Sequence, residues 1–195
     1  MDIELPLFPL NAVLFPGSRL ELRIFEQRYL DLIRDSMRQG TGFGICLLLQ
    51  ALEGQTPTEP ARIGTEARII DFGTLPDGLL GITVQGGRRF AANDLSYRPN
   101  GLLRARVQYW PAEISEPVAA EYALLVTILN RLADNEDGEL AAADKACFDD
   151  AAWVSYRLAD RLPIPLEERQ QILELTDATA RLRQLTLWLP RFVHE

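Results

Sequence analysis

Residues 8–17 read FPLNAVLFPG, and the reading of this stretch decides what the rest of the chain can be. It is apolar and sits near the N-terminus, so a leader segment, a core strand and a binding surface all compete for it. A secretory leader needs a basic start, an unbroken apolar run and a small-residue cleavage site. Here Asp2 and Glu4 make the start acidic, and Pro6, Pro9 and Pro16 break the apolar run into short pieces. The stretch is therefore expected to belong to the mature fold. Proline cannot donate to a strand ladder and is tolerated at edges and strand ends. LPLFPL (5–10) is thus expected as a short edge strand, and AVLFPG (12–17) as a second apolar strand stopped at Pro16–Gly17.

The pattern outward from this stretch is first β and then α. RLELRI (19–24) alternates strictly, with Leu20, Leu22 and Ile24 on one face and Arg19, Glu21 and Arg23 on the other, which is a half-buried strand. The period then changes: Phe25, Tyr29, Leu32/Ile33 and Met37 recur at helical spacing, and Gly40 is placed to cap that helix. FGICLLLQ (43–50) reads as a buried strand and 51–61 as a loop. EARIIDFG (66–73), the turn LPDG (75–78) and LLGITV form a hairpin, QGGRR (85–89) a strand bend, and RRFAAND and LLRARVQYW (102–110) further strands. From 117 onward the spacing is helical, with an acidic, weakly periodic connection at 134–150. Helices are expected over AAWVSYRLADRL, after PIPL with Glu167 and Glu168 in the first turn, and finally from an N-cap at Thr176 to Pro190. The expectation is an α+β protein with a β-rich part, 1–112, and an α-helical part, 117–195.

Composition narrows the chemistry. The net charge is −8, which disfavours a generic binder of nucleic acid or anionic membrane, because phosphate binding needs a local excess of cations. Nineteen of the twenty cationic residues are arginine, so any mechanism that needs a lysine must use Lys145. That lysine sits among Asp144, Asp149 and Asp150, which favour its ammonium form, the wrong direction for a base. The two cysteines, Cys46 and Cys147, lack CxxC partners and are expected as buried structural thiols in a reducing cytoplasm. The one histidine, His194, stands next to the C-terminus, so neither a zinc site nor a Ser–His–Asp triad is supported. No GxxxxGK[ST] or GxSxG motif occurs, and no apolar run reaches the ~20 residues of a membrane span. The carboxylate pairs Asp149/Asp150 and Glu167/Glu168 read as solvated. No cofactor is expected.

Several blocks together carry a resemblance. PLFPLNAVLFPGSRLELRIFEQRYLDLI, IGTEARIIDFGTLPDGLLGITVQGGRRF (63–90) and SYRLADRLPIPLEERQQILELTDATARLRQLTLWL resemble the N-terminal substrate-binding domain of Lon proteases, most closely its stand-alone relatives. The likeness covers most of the chain and is diffuse through 91–150. It implies a PUA-like β-barrel with a crossing helix, followed by a C-terminal α-helical bundle. It also implies a non-catalytic module for unfolded polypeptides or a protein partner, without the ATPase and peptidase domains of full-length Lon.

On that reading the candidate contacts are Phe8, Phe15 and Phe25, with Glu26, Arg28 and Tyr29 at the strand-to-helix junction in RIFEQRY. The N-terminal strand is the expected open edge for a peptide. Trp110, Trp153 and Trp188 are expected as core or interdomain packing. Two alternatives stand beside this one. Arg88, Arg89, Arg104 and Arg106 could form a basic patch for RNA on exposed strand faces, and Asp/Glu with Arg could serve a small ligand or a hydrolytic reaction in a cleft between the two parts.

Overall fold

A computed structural model describes residues 3–48 and 59–192. The chain divides into two compact units, Met1–Pro111 and Ala112–Glu195. The first unit carries six strands and one helix: β1 (Ile3–Leu10), β2 (Arg19–Ile24), α1 (Gln27–Gln39), β3 (Phe43–Leu47), β4 (Ile63–Thr74), β5 (Leu80–Tyr97) and β6 (Leu103–Tyr109). The strands run in the order β2-β5-β4-β3-β1-β6, and β5 pairs again with β6. That last pairing closes β5, β4, β3, β1 and β6 into a ring, with β2 added on the outside of β5. The 18-residue length of β5 makes this possible: Leu80–Gln85 pairs with β2, and Phe90–Tyr97 pairs with β6.

The N-terminal strand is not an edge. Ile3–Pro6 pairs antiparallel with β6 and Leu7–Leu10 pairs parallel with β3, so β1 lies inside the ring. The two registers do not overlap. Each half of β1 therefore has one flank without a ladder, and this is how a strand with Pro6 and Pro9 sits between two neighbours. The second expected strand, 12–17, is irregular chain that ends in a turn at Pro16–Gly17. Gly17, at φ 74°, donates to the Gly86 carbonyl and Gly86 donates back to the Ser18 carbonyl, both at 2.8 Å. A Cβ on Gly86 would lie 2.2 Å from the Phe15 carbonyl oxygen, so only glycine lets the turn close onto β5. The bend expected at QGGRR is a bulge: Thr65 faces Arg89 and Ala67 faces Gly86, leaving Gly87 and Arg88 opposite Glu66.

Two apolar clusters fill this unit. One joins α1 to the ring through Tyr29, Leu32, Ile33, Phe8, Phe43 and Ile82. The other contains Leu5, Leu7, Cys46, Phe90, Ala92 and Val107. Cys46 is buried and its thiol is pushed up to about 12 by that burial, whereas Cys147 is only half-buried. The helix stripe is shorter than its spacing suggests. Tyr29, Leu32 and Ile33 are buried, but Phe25 precedes the helix in an exposed position and Met37 is exposed at its far end. Gly40 caps α1 at φ 65°, its N–H on the Ser36 carbonyl. The alternation in β6 holds, with Leu103, Ala105 and Val107 buried.

The second unit contains α2 (Ala123–Asp134), α3 (Ala151–Arg161), α4 (Leu166–Glu174) and α5 (Ala178–Trp188), with α3 packed against the other three. The acidic connection holds a 3₁₀ turn, Lys145–Asp149, and Asp150 caps α3 by accepting from the Trp153 N–H. The cap of α5 is Asp177, not Thr176; its carboxylate accepts from the Thr179 and Ala180 N–H groups at 3.1 Å, and a negative charge suits the helix start better than a hydroxyl. Arg181 is fully buried, donates to Ser155 Oγ and the Leu175 carbonyl at 2.9 Å, and pairs with Glu113. Among the described residues no helix is long and apolar enough to cross a membrane. The loop expected at 51–61 lies outside the described residues up to 58, as do the end of the strand expected at 43–50 and His194.

Candidate functional site

Of the six candidate contact residues, three are core. Phe15 is fully buried, and Phe8 stacks on Tyr29 with ring centroids 3.8 Å apart and planes 19° from parallel. The apolar character that made Phe8 and Phe15 look like a surface is spent on folding. Tyr29 is buried between Phe8 and the Arg28 guanidinium, which lies 4.7 Å above its ring; burial pushes its hydroxyl pKa up, with Arg28 opposing and Glu26 and Tyr97 adding to the rise. The other three form a junction at the surface. Arg28 pairs with Glu26 at 2.8 Å and donates to the Gly101 carbonyl at 3.1 Å, fixing the start of α1 to the loop before β6. Phe25, at 67% exposure, stands beside this junction.

The four arginines considered for RNA are not brought together as a free cationic face. Arg89 is buried under Trp110, with its guanidinium carbon 4.6 Å from the ring. Arg104 donates to Glu4 and Ser96, and Arg106 pairs with Asp94 at 3.2 Å. Arg88, exposed like Arg106, belongs to a different feature. The three tryptophans are half-buried: Trp110 stacked against Arg89, Trp153 edge-on to Phe148, and Trp188 beside Arg191.

That feature begins where a ladder ends. β3 pairs with β4 only as far as Ala67, yet β4 continues to Thr74. Among the described residues, Arg68–Thr74 is therefore paired on one flank, by β5, and has no ladder on the other. A depression of about 330 Å³ lies here between β4 and the end of α1, lined by Met37, Thr41, Ile69, Ile70 and Phe72. Met37, Ile70 and Phe72 are large apolar side chains left exposed, Phe72 by 59%. Phe72 also lines a second hollow of about 440 Å³ over the sheet. Leu22, Ile82 and Phe72 stand in register across β2, β5 and β4 and so share its face.

At its other end the groove runs into a polar hollow of about 400 Å³, with which it shares Ser36, Gly40, Thr41 and Arg68. Its floor is Glu66, buried opposite the bulge. The Tyr109 pKa is raised, first by burial and then by the nearby Glu66 carboxylate. Arg88 and Arg68 approach Glu66 at 3.8 and 4.0 Å, and Arg88 stacks over the Tyr109 ring at 3.9 Å. Among the described residues no group of three or more His, Cys, Asp or Glu is placed to hold a metal ion. The groove combines an apolar strip, a strand flank that no described strand pairs with, and a charged end. The sequence shows Ile70 and Phe72 only as strand residues, because how far a strand outruns its neighbour is set by a non-local register.

This sheet-and-helix arrangement has known counterparts. Residues 4–191 match the family described as the ATP-dependent protease La (LON) substrate-binding domain, and the chain belongs to that family. A Lon N-terminal domain protein from Xanthomonas campestris is 40% identical, with a TM-score of 0.79 over 95% of this chain and 98% of that one. The N-terminal domain of Mycobacterium avium complex Lon protease, 20% identical with a TM-score of 0.68 over 99% of this chain and 100% of that one, shares the fold. The Lon protease of Roseiflexus castenholzii is 31% identical over 195 residues, covering 96% of this chain and 24% of that protein. The chain thus spans about a quarter of the length of such relatives, and the part it matches is the substrate-binding domain rather than a catalytic one.

Proposed function

We propose that this protein recognises polypeptides, taking an extended, partly apolar segment along the open flank of β4. The observation that carries the reading is the coincidence of three exposed apolar side chains, Met37, Ile70 and Phe72, with the seven residues of β4 that lack a second ladder among the described residues. An extended chain laid there gains main-chain hydrogen bonds from the strand and side-chain burial against the apolar strip, a combination that recurs where peptides add to sheet edges. The extra residue at Ile70, where the β4–β5 register shifts, turns its side chain out to the groove. Such a surface tolerates many sequences, since backbone groups supply much of the affinity, and this suits a domain whose family is named for substrate binding. The partner class is unfolded or extended protein.

The test is binding of a reduced, unfolded polypeptide to the purified chain by fluorescence anisotropy, alongside Phe72→Glu. Saturable binding that the substitution weakens about tenfold or more supports the reading, since burying one aromatic side chain is worth roughly 1.5–3 kcal/mol. Binding that ignores the substitution would move the site elsewhere.

A further inference from the structure

The polar hollow at the end of the groove has a charge imbalance of its own. Its guanidiniums are Arg68, Arg88 and Arg98. Of its carboxylates, Glu4 is held by Arg104 at 2.9 Å and Asp35 by Arg38 at 3.6 Å. Glu66 is left to answer three arginines. It lies 3.8 Å and 4.0 Å from two of them, beyond hydrogen-bond range. The side chains of Arg68, Arg88 and Arg98 donate no hydrogen bond to any described residue, so their N–H forks are available. Counted with Arg104 and Arg38, five guanidiniums meet the three carboxylates of this one concave place, in a protein of net charge −8.

We infer that this hollow takes a carboxylate of the bound polypeptide, from an acidic side chain or from a chain's C-terminus. The inference rests on the groove reading above and adds a preference to it: apolar residues followed by a negative charge. A guanidinium fork matches a carboxylate in a bidentate arrangement, and a charge-assisted bond of this kind is about twice as strong as a neutral one. A monoanion suits the hollow better than a phosphate dianion, because Glu66 and the carbonyl end of α1 at Gly40 share the space and repel a second negative charge. Glu66 packs against Gly42, where a Cβ would lie 3.0 Å from its Oε1. The bulge that presents Arg88 beside Glu66 thus shapes the same hollow.

The experiment is an anisotropy titration of three N-terminally labelled peptides with one apolar core: an uncharged peptide ending in an amide, the same followed by two glutamates and an amide, and the same with a free C-terminal carboxylate. At least one charged peptide is expected to bind about tenfold tighter than the neutral one, and which one identifies the source of the carboxylate. R98A, whose side chain has no described partner to lose, and R88A should reduce that peptide to the neutral affinity while leaving the neutral peptide unchanged. Equal affinity for all three would overturn the inference and leave the groove standing. Binding by none would overturn the groove reading itself. A single-stranded RNA that displaces the charged peptide, and loses affinity in R98A, would assign the arginines to phosphate and overturn the inference as well.

Discussion

The ring of Phe8 lies on the ring of Tyr29, 3.8 Å between centroids, and so ties β1 to α1 across an apolar cluster of the N-terminal unit. Both residues are among the six candidate contacts read from the sequence. Their stacking makes them structural. Phe8→Ala is expected to cost about 3–5 kcal/mol through lost burial and a cavity. For a protein of this length that is a fall of roughly 6–20 °C in Tm at 2–4 °C per kcal/mol. Calorimetry checks it; a fall under 2 °C would show that the stack carries little.

Two glycines in β4 should behave oppositely. A Cβ on Gly64 would lie 2.5 Å from the Ile45 carbonyl oxygen and 2.8 Å from Phe90 Cζ, whereas one on Gly73 would meet nothing within 4 Å. Gly64→Ala is expected to destabilise by about 1–3 kcal/mol. Gly73→Ala should be neutral or stabilise by up to about 1 kcal/mol, by restricting the unfolded chain. Urea midpoints of the two variants read the contrast directly.

In the helical unit, Arg181 is completely buried and its charge is met by Glu113, which also accepts from the Tyr156 hydroxyl. Removing one partner of such a pair leaves an uncompensated charge and costs about 3–5 kcal/mol. Glu113→Ala is therefore expected to be far more damaging than Arg191→Ala, whose pairing with Glu168 is half-exposed and worth about 0–1 kcal/mol. Thermal melts of the two single variants test the ranking.

The buried Cys46 thiol gives a pH signature. Burial raises its pKa from 9.0 to about 12, so the folded protein keeps the proton that the unfolded chain gives up. Its contribution to stability is complete below pH 9 and is lost as the pH rises from there toward 12, at about 1.4 kcal/mol per pH unit. Urea midpoints between pH 8 and pH 10.5 should fall less steeply in Cys46→Ala than in the unaltered protein. Parallel slopes would show that another group sets the alkaline limit.

How much of this was legible in the sequence follows from which interactions are local. The alternation of RLELRI, the LPDG turn with Gly78 at φ 85°, and the Gly40 cap depend on neighbours along the chain, and the structure has all three. The fate of β1 depends on partners 40 and 100 residues away, β3 and β6, and nothing in LPLFPL announces that its two halves pair with different strands. Pro6 and Pro9 correctly signal a flank without a ladder, but two such flanks on opposite sides of one internal strand look the same as an edge. Met37 follows the helical spacing of Tyr29 and Ile33 and still lies exposed, because the core ends before the helix does. The groove is legible only once the extents of β3 and β4 are known.

The most direct test of the account is an NMR titration of the labelled chain with a reduced, unfolded polypeptide, following backbone amide shifts. The account predicts perturbation concentrated in Arg68–Thr74 and Ser36–Thr41, with Phe25 and Arg28 little changed. Shifts centred on Phe25, Arg28 and Tyr97, or confined to the helical unit, would contradict it.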